Sequence, residues 1–220
     1  IDKIGKPDKI KLKSGIKCEI EFKGTLKEHQ LEPVEKTLEA FDNTGGGVLC
    51  MGCGSGKTVC ALYLICKKKI KTLVVVNKDF LLNQWKERIE QFTNAKVGII
   101  KQNIIRIENC DIVLAMLHSI SQKEYDPKIF SDFGMVIVDE CHHISSRVFS
   151  RCLPKISFKY TLGLSATPER SDKLSCVFYW YLGDLIYSYK KKSENKTIVD
   201  CIKFTSQSEY FQPKFIQSSH

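Results

Sequence analysis

Two short runs of this chain carry residue types whose chemistry makes sense only when they are combined. Val48-Leu49-Cys50-Met51 leads into Gly52-Cys53-Gly54-Ser55-Gly56-Lys57-Thr58, an apolar strand passing through a glycine loop into a helix. Glycines let successive backbone N–H groups curl around phosphate oxygens, a lysine reaches the β and γ phosphates, and the threonine hydroxyl after it can hold Mg²⁺. The positive end of the helix dipole adds to the attraction. The second run, Met135-Val136-Ile137-Val138-Asp139-Glu140, delivers two carboxylates at the end of four apolar residues. Asp139 would reach the metal through water, and Glu140 would polarise the water that attacks the γ phosphate. Adjacent carboxylates on a surface are usually solvated charge. At the end of a buried strand, downstream of a glycine loop, the catalytic reading is favoured. The expected nucleoside triphosphate site therefore comprises Met51, Gly52, Cys53, Gly54, Ser55, Gly56, Lys57 and Thr58, with Lys57, Asp139 and Glu140 catalytic and Thr58 and Asp139 at the metal. Met51 stands where the G-x-x-x-x-G-K-T template has its first glycine, which weakens a P-loop kinase reading.

Positioning these runs requires a parallel sheet. Short apolar or β-branched stretches at 47–51, 72–76, 97–100, 111–115, 135–139 and 161–164 alternate with helical patterns at 57–68, 79–92, 118–122, 146–152 and 172–182. Strands that are apolar along their whole length, separated by helices, indicate an α/β domain with helices on both faces. Upstream, Leu31, Val34, Leu38 and Phe41 recur at steps of three and four and mark an amphipathic helix over 27–41, ended by Asn43-Thr44-Gly45-Gly46-Gly47. The first 25 residues alternate with a period of two, as in Cys18-Glu19-Ile20-Glu21-Phe22, and are expected to form an edge hairpin. Past Ile186 a charged stretch around Lys190-Lys191-Lys192 reads as a linker, followed by a strand candidate at 197–204.

The chain has 43% hydrophobic and 27% charged residues over its 220 positions, which suits one globular core and excludes a disordered polymer. No run approaches the roughly 20 apolar residues of a membrane span, and no signal peptide is visible. Lys plus Arg outnumber Asp plus Glu by 34 to 25, for a net charge of +9, so polyanions fit as partners, although Lys-rich surfaces are often merely solvated. The ten cysteines lack the close spacing of a stapled secreted domain and read as small buried hydrophobes of a reducing, intracellular compartment. Cys50-x-x-Cys53 straddles a strand end and a loop, with no second pair to complete a zinc site. Three consecutive ligands at Cys141-His142-His143 would be poor geometry for one metal.

At this point the sequence resembles superfamily 2 helicases. Val138-Asp139-Glu140-Cys141-His142-His143 is similar to their DExH box, and Leu164-Ser165-Ala166-Thr167-Pro168 to their SAT motif, a segment that alone reads as a plain strand-to-turn boundary. In that superfamily the first loop position is often not glycine, so Met51 conforms. Leu26-Lys27-Glu28-His29-Gln30 resembles the upstream Q-type motif, whose glutamine recognises adenine. Leu73-Val74-Val75-Val76-Asn77-Lys78 with Leu81-Leu82-Asn83-Gln84-Trp85 resembles motif Ia, and Asp111 to Ser119 the later nucleic-acid-facing motif. The likeness runs from Leu26 to Ile186. Gln84-Trp85, Glu169-Arg170 after the SAT segment, and Phe178-Tyr179-Trp180-Tyr181-Leu182-Gly183-Asp184 point to the branch of xeroderma pigmentosum group B-type translocases, phage recombination helicases and transcript-release helicases of large DNA viruses.

The resemblance implies a RecA-like domain over 26–188, preceded by a β extension over 1–25 and followed by a linker and strand over 189–220 leading to a second RecA-like domain. It implies ATP and Mg²⁺ as ligands, Gln30 at the base, and His142 with Ser165, Ala166 and Thr167 coupling nucleotide state to strand movement. Asn77, Lys78, Met116, His118 and Ser119 would face nucleic acid, where they equally read as ordinary loop residues. Duplex DNA is the favoured partner and RNA is possible, because such a domain reads mainly backbone. The chain begins at Ile1 and is expected to be a piece of a longer protein of the nucleus, cytoplasm or viral factory. Without an arginine finger from a second domain, a deficit of about 10³ to 10⁵ in rate follows, so the piece is expected to bind nucleotide but turn it over feebly. A nonmotor nucleotide-gated module is the competing class; it has no need of the water-activating carboxylate at position 140.

Overall fold

A computed structural model describes residues 12–143, 146–156, 158–167 and 175–189. Eight strands, β1 (Gly46–Met51), β2 (Thr72–Val76), β3 (Val97–Lys101), β4 (Ile104–Arg106), β5 (Ile112–Met116), β6 (Met135–Val138), β7 (Tyr160–Ser165) and β8 (Leu185–Tyr189), form one sheet in the order β4-β3-β5-β2-β6-β7-β1-β8. Every pairing is parallel except the β3–β4 hairpin. The helices are α1 (Glu28–Asn43), α2 (Lys57–Lys68), α3 (Asp79–Phe92), α4 (Leu117–Gln122), α5 (Ser146–Cys152) and α6 (Ser175–Leu182).

The strand sequences dictate this layering. In β1, β2, β5 and β6 every residue is buried, so neither face meets water. Alternate residues go to opposite faces. Val74, Val76, Leu114 and Ile137 pack with Val34, Phe41, Cys60, Leu64, Trp85 and Ile89 of α1 to α3. Their neighbours Leu73, Val75, Val113, Val136 and Val138 pack with Leu117, Ile120, Cys152, Phe130, Phe133 and Phe158 on the other face. Because all the central strands are parallel, their carboxyl ends share one edge of the sheet, and both chemical runs lie there.

Of the hairpin expected over the first 25 residues, 1–11 lie outside the described residues; residues 12–26 run extended beneath the opposite, amino-terminal edge of the sheet, touching it at isolated bridges from Lys13 to Phe158, Lys17 to Ile70 and Phe22 to Thr93. The period of two is real, with Cys18 and Ile20 buried between exposed neighbours, and among the described residues its partners are four different segments. Helix α1 is also rotated from the expected face. Leu31 is 50% exposed, while Gln30, Pro33, Val34, Thr37 and Phe41 are buried, the Thr37 hydroxyl donating to the Pro33 carbonyl at 2.7 Å. Strands β4 and β8 were not anticipated: they are short edge strands, and all three residues of β4 are exposed although two of them are isoleucines. The 197–204 strand and the 190–196 linker lie outside the described residues. No helix among the described residues is long and apolar enough to cross a membrane.

Candidate nucleotide-binding site

The glycine loop forms as the spacing requires. β1 ends at Met51, Ser55 closes a turn onto the Gly52 carbonyl through its N–H at 3.2 Å and its hydroxyl at 2.5 Å, and α2 starts at Lys57. Gly54 and Gly56 lie at φ +74° and +85°, the left-handed region that favours glycine. A Cβ at Gly52 or Gly54 would meet no atom within 4 Å, so the loop presents bare backbone to a concavity. That shape suits a phosphate chain, which needs direct access to N–H groups. Lys57 is anchored by donating to the Met51 carbonyl at 3.0 Å, and its ammonium sits 3.8 Å from Oε1 of Glu140.

The two carboxylates differ sharply. Asp139 is 5% exposed; its Oδ2 accepts from the Trp85 indole N–H at 2.7 Å and its Oδ1 from the Glu140 N–H at 2.9 Å. Burial pushes its pKa above the ordinary carboxylate value, against the pull of the indole donor. Glu140 adopts φ +48°, a strained conformation for a residue with a side chain. Its Oε2 is buried without a hydrogen-bond partner among the described residues, 3.4 Å from Nδ1 of His142. An aspartate held by N–H donors with lone pairs to spare, next to Thr58 in the same cleft, is an oxygen donor set that suits Mg²⁺.

His142 joins this pair to the next strand end. Its Nδ1 lies 3.0 Å from the Ser165 hydroxyl, which donates to the Thr167 carbonyl and accepts from the Thr167 N–H at 3.2 Å. The Nδ1 of His142 sits between the Ser165 hydroxyl and the Glu140 carboxylate. The Lys57, Glu140, His142, Ser165 and Thr167 groups thus form one continuous polar chain across the ends of β1, β6 and β7. Ala166 lies half-buried within it. The resemblance named these residues, and the structure brings all of them together.

A cleft of about 460 Å³ is lined by the loop, Asp139 and Glu140, and continues past Gln30 to Thr25, Lys27, Gln84, Arg88 and Phe92. Gln30 is 3% exposed and occupied at both ends. Its Oε1 accepts from the Lys27 N–H at 2.8 Å, and its Nε2 donates to the Ser55 carbonyl at 3.1 Å and lies 3.4 Å from that of Gly56. In this state it staples the start of α1 to the phosphate loop while lining the cleft expected to hold the base. Trp85 and Arg88 were missed as site residues. Leu81, Leu82, Trp85 and Ile89 share the buried face of α3, and a buried indole needs an acceptor, but nothing in the sequence says which one.

Of the expected nucleic-acid contacts, Lys78 and His118 are exposed at the ends of β2 and β5. Asn77 is half-buried, with Oδ1 lacking a hydrogen-bond partner among the described residues. Met116 and Ser119 are corrected: both side chains are buried, Met116 in the core and Ser119 accepting from the Gln102 N–H at 2.8 Å. Strand parity and the inner face of α4 turn them inward. The eight cysteines whose side chains are described form no disulfide, and Cys50 is buried in β1 while Cys53 is exposed in the loop. Burial pushes the Cys60 thiol up to about 12, as expected of an inert apolar filler.

Comparison with known proteins fits this geometry. The profile of the family described as "Type III restriction enzyme, res subunit" matches residues 23–170. A putative ATP-dependent RNA helicase of Acanthamoeba polyphaga mimivirus is 40% identical over 98% of this chain and 42% of its own length. A DNA 3'-5' translocase of Sulfurisphaera tokodaii is 30% identical over 76% of this chain and 36% of its own. The SWI2/SNF2 ATPase core of Sulfolobus solfataricus, solved in complex with dsDNA, superposes with a TM-score of 0.61 at 19% identity, covering 74% of this chain and 36% of that one. The chain therefore spans less than half the length of these relatives. It belongs to the family of the type III restriction enzyme res subunit, as a helicase-type ATPase domain of superfamily 2.

Proposed function

We propose that this chain is the ATP-binding and hydrolysing half of a nucleic-acid motor that acts on duplex DNA, with RNA as the second reading because the mimivirus relative is named an RNA helicase. The observation that carries it is the unbroken polar chain from Lys57 through Glu140 and His142 to Ser165 and Thr167. Nucleotide binding alone requires the loop; it does not require a strained glutamate tied to a neighbouring strand end.

The mechanism follows from the residues. Loop N–H groups from Gly52 to Thr58 bind the β and γ phosphates, and Lys57 exchanges the Met51 carbonyl for the γ phosphate. That exchange moves its ammonium away from Glu140 and leaves the carboxylate to take a proton from water. Bound at Thr58 and Asp139, Mg²⁺ would supply charge neutralisation on the phosphates. Gln30 ties the base end of the cleft to the loop. His142, with Nδ1 between Glu140 and Ser165, links the glutamate to Thr167 at the next strand end. Lys78 and His118, further along the same edge, meet the phosphate backbone. A second RecA-like domain in the parent protein supplies the arginine finger, so this chain alone binds ATP and turns it over about 10³-fold or more below the full-length rate.

The test is ATP turnover by the full-length protein with duplex DNA, single-stranded DNA and RNA each as stimulant. Stimulation chiefly by duplex DNA supports the first reading, and chiefly by RNA the second. Turnover indifferent to all three sinks the motor and leaves a nucleotide-gated module.

A further inference from the structure

The Asp139 carboxylate does not stand by itself. Asp139 is buried at the end of β6, its own N–H tied to the Val75 carbonyl of β2 at 3.0 Å. Its side chain is fixed by two N–H donors, one per oxygen: the Glu140 amide on Oδ1 at 2.9 Å and the Trp85 indole on Oδ2 at 2.7 Å. Trp85 is 1% exposed and locked in α3 between Leu81, Leu82 and Ile89. A packed indole is a rigid donor at low entropic cost. Each donor occupies one lone pair of its oxygen, so the plane of the carboxylate is set while the remaining lone pairs still face the cleft.

We propose that Trp85 is a positioning residue for the metal end of the nucleotide site, its indole N–H orienting Asp139 so that the carboxylate accepts from the water shell of a divalent cation. The inference rests on the nucleotide-hydrolysis reading above. It assigns to α3, a helix contributed by the nucleic-acid half of the sheet edge, a direct hold on the metal-facing carboxylate. An outer donor of this kind typically contributes about 10- to 100-fold to metal affinity.

The split between metal-dependent and metal-independent binding tests it. In the full-length protein, a fluorescent ATP analogue is titrated in EDTA and at increasing Mg²⁺, for the parent and for Trp85→Phe, which keeps an aromatic ring and deletes the N–H. The expected result is unchanged analogue affinity in EDTA with the Mg²⁺ half-saturation raised about 10-fold or more. An unchanged half-saturation overturns the proposal. So does an equal loss of affinity in EDTA and in Mg²⁺, which marks Trp85 as packing alone. If Trp85→Phe fails to fold, benzothienylalanine at position 85, whose sulfur replaces the N–H within the same ring shape, is measured in its place and judged by the same outcomes. Analogue binding by the parent that ignores Mg²⁺ altogether overturns the metal site itself, a failure distinguishable from that of Trp85.

Discussion

Along one edge of a single sheet, two regions of this molecule are built in opposite ways. Over β1, β6 and β7 the polar groups are interlocked: Gln30, Lys57, Asp139, His142 and Ser165 each hold a named partner within the protein. Over β2 and β5 the same edge is open, with Lys78 and His118 exposed and Phe80 61% exposed beneath the Lys78 ammonium. Chemistry on a phosphoanhydride needs groups placed before the reaction, because their reorganisation would add to the barrier. Gripping a polymer backbone needs only accessible charge, which a partner's phosphates complete. One half of the edge is interlocked within the protein, and the other leaves its cationic and aromatic groups accessible.

Substitutions should respect that division, and the largest effects belong to the interlocked half. Lys57→Ala is expected to lower kcat/KM for ATP by about 10³-fold, through lost charge at the phosphates, as read by steady-state kinetics. A fall below about 10-fold would mean that the loop lysine is not at the chemistry. Gln30→Ala strands the Lys27 N–H and removes the donor to two loop carbonyls. It should cost about 2 kcal/mol and lower the melting temperature by about 5 °C, with weaker nucleotide binding. A loss of affinity with no loss of stability would make Gln30 a reader of the base and not a staple. In the open half, Lys78→Ala should leave nucleotide affinity in place and reduce the salt slope of duplex binding by about one, measured by titration at several salt concentrations.

The smallest effect concerns pH. Burial raises the Asp139 pKa in the folded state, so the folded protein binds that proton more tightly than the unfolded chain does. Its ionised form therefore costs stability above the folded pKa, and the cost fades as pH falls through that value toward the ordinary one. The Asp139 contribution to the parent's melting temperature should accordingly rise as pH falls from neutral toward the ordinary carboxylate value, and Asp139→Asn, which removes the charge but turns an amide NH2 toward one of the two N–H donors, should lose that pH dependence and melt lower than the parent in acid. A pH dependence of melting that is the same in parent and variant would show that Asp139 does not contribute it.

The legibility of the sequence follows the same line. The glycine loop and the paired carboxylates were readable because each residue type does one task at a fixed spacing, whereas the SAT segment stood out only through the family resemblance; helices 57–68 and 79–92 were placed at their observed bounds. Contacts that depend on distant partners were not readable. The indole of Trp85 and the carboxylate of Asp139 are 54 positions apart, and periodicity reports only that both are buried. The strap over 12–26 shows the same limit: alternation gives two faces but not what covers them. On the open side, Met116 and Ser119 were assigned by position along a motif, and the inward turn of their side chains is a matter of strand parity that the motif does not encode.

The central claim is that Glu140 is a water-activating base held in readiness by the chain from Lys57 to Thr167. Its most direct measurement is single-turnover hydrolysis against equilibrium ATP binding in Glu140→Gln of the full-length protein, with duplex DNA present. The expected result is ATP affinity within a few-fold of the parent and hydrolysis slowed by about 10²- to 10⁴-fold. Hydrolysis at the parental rate with affinity intact would contradict the account and move the catalytic base elsewhere.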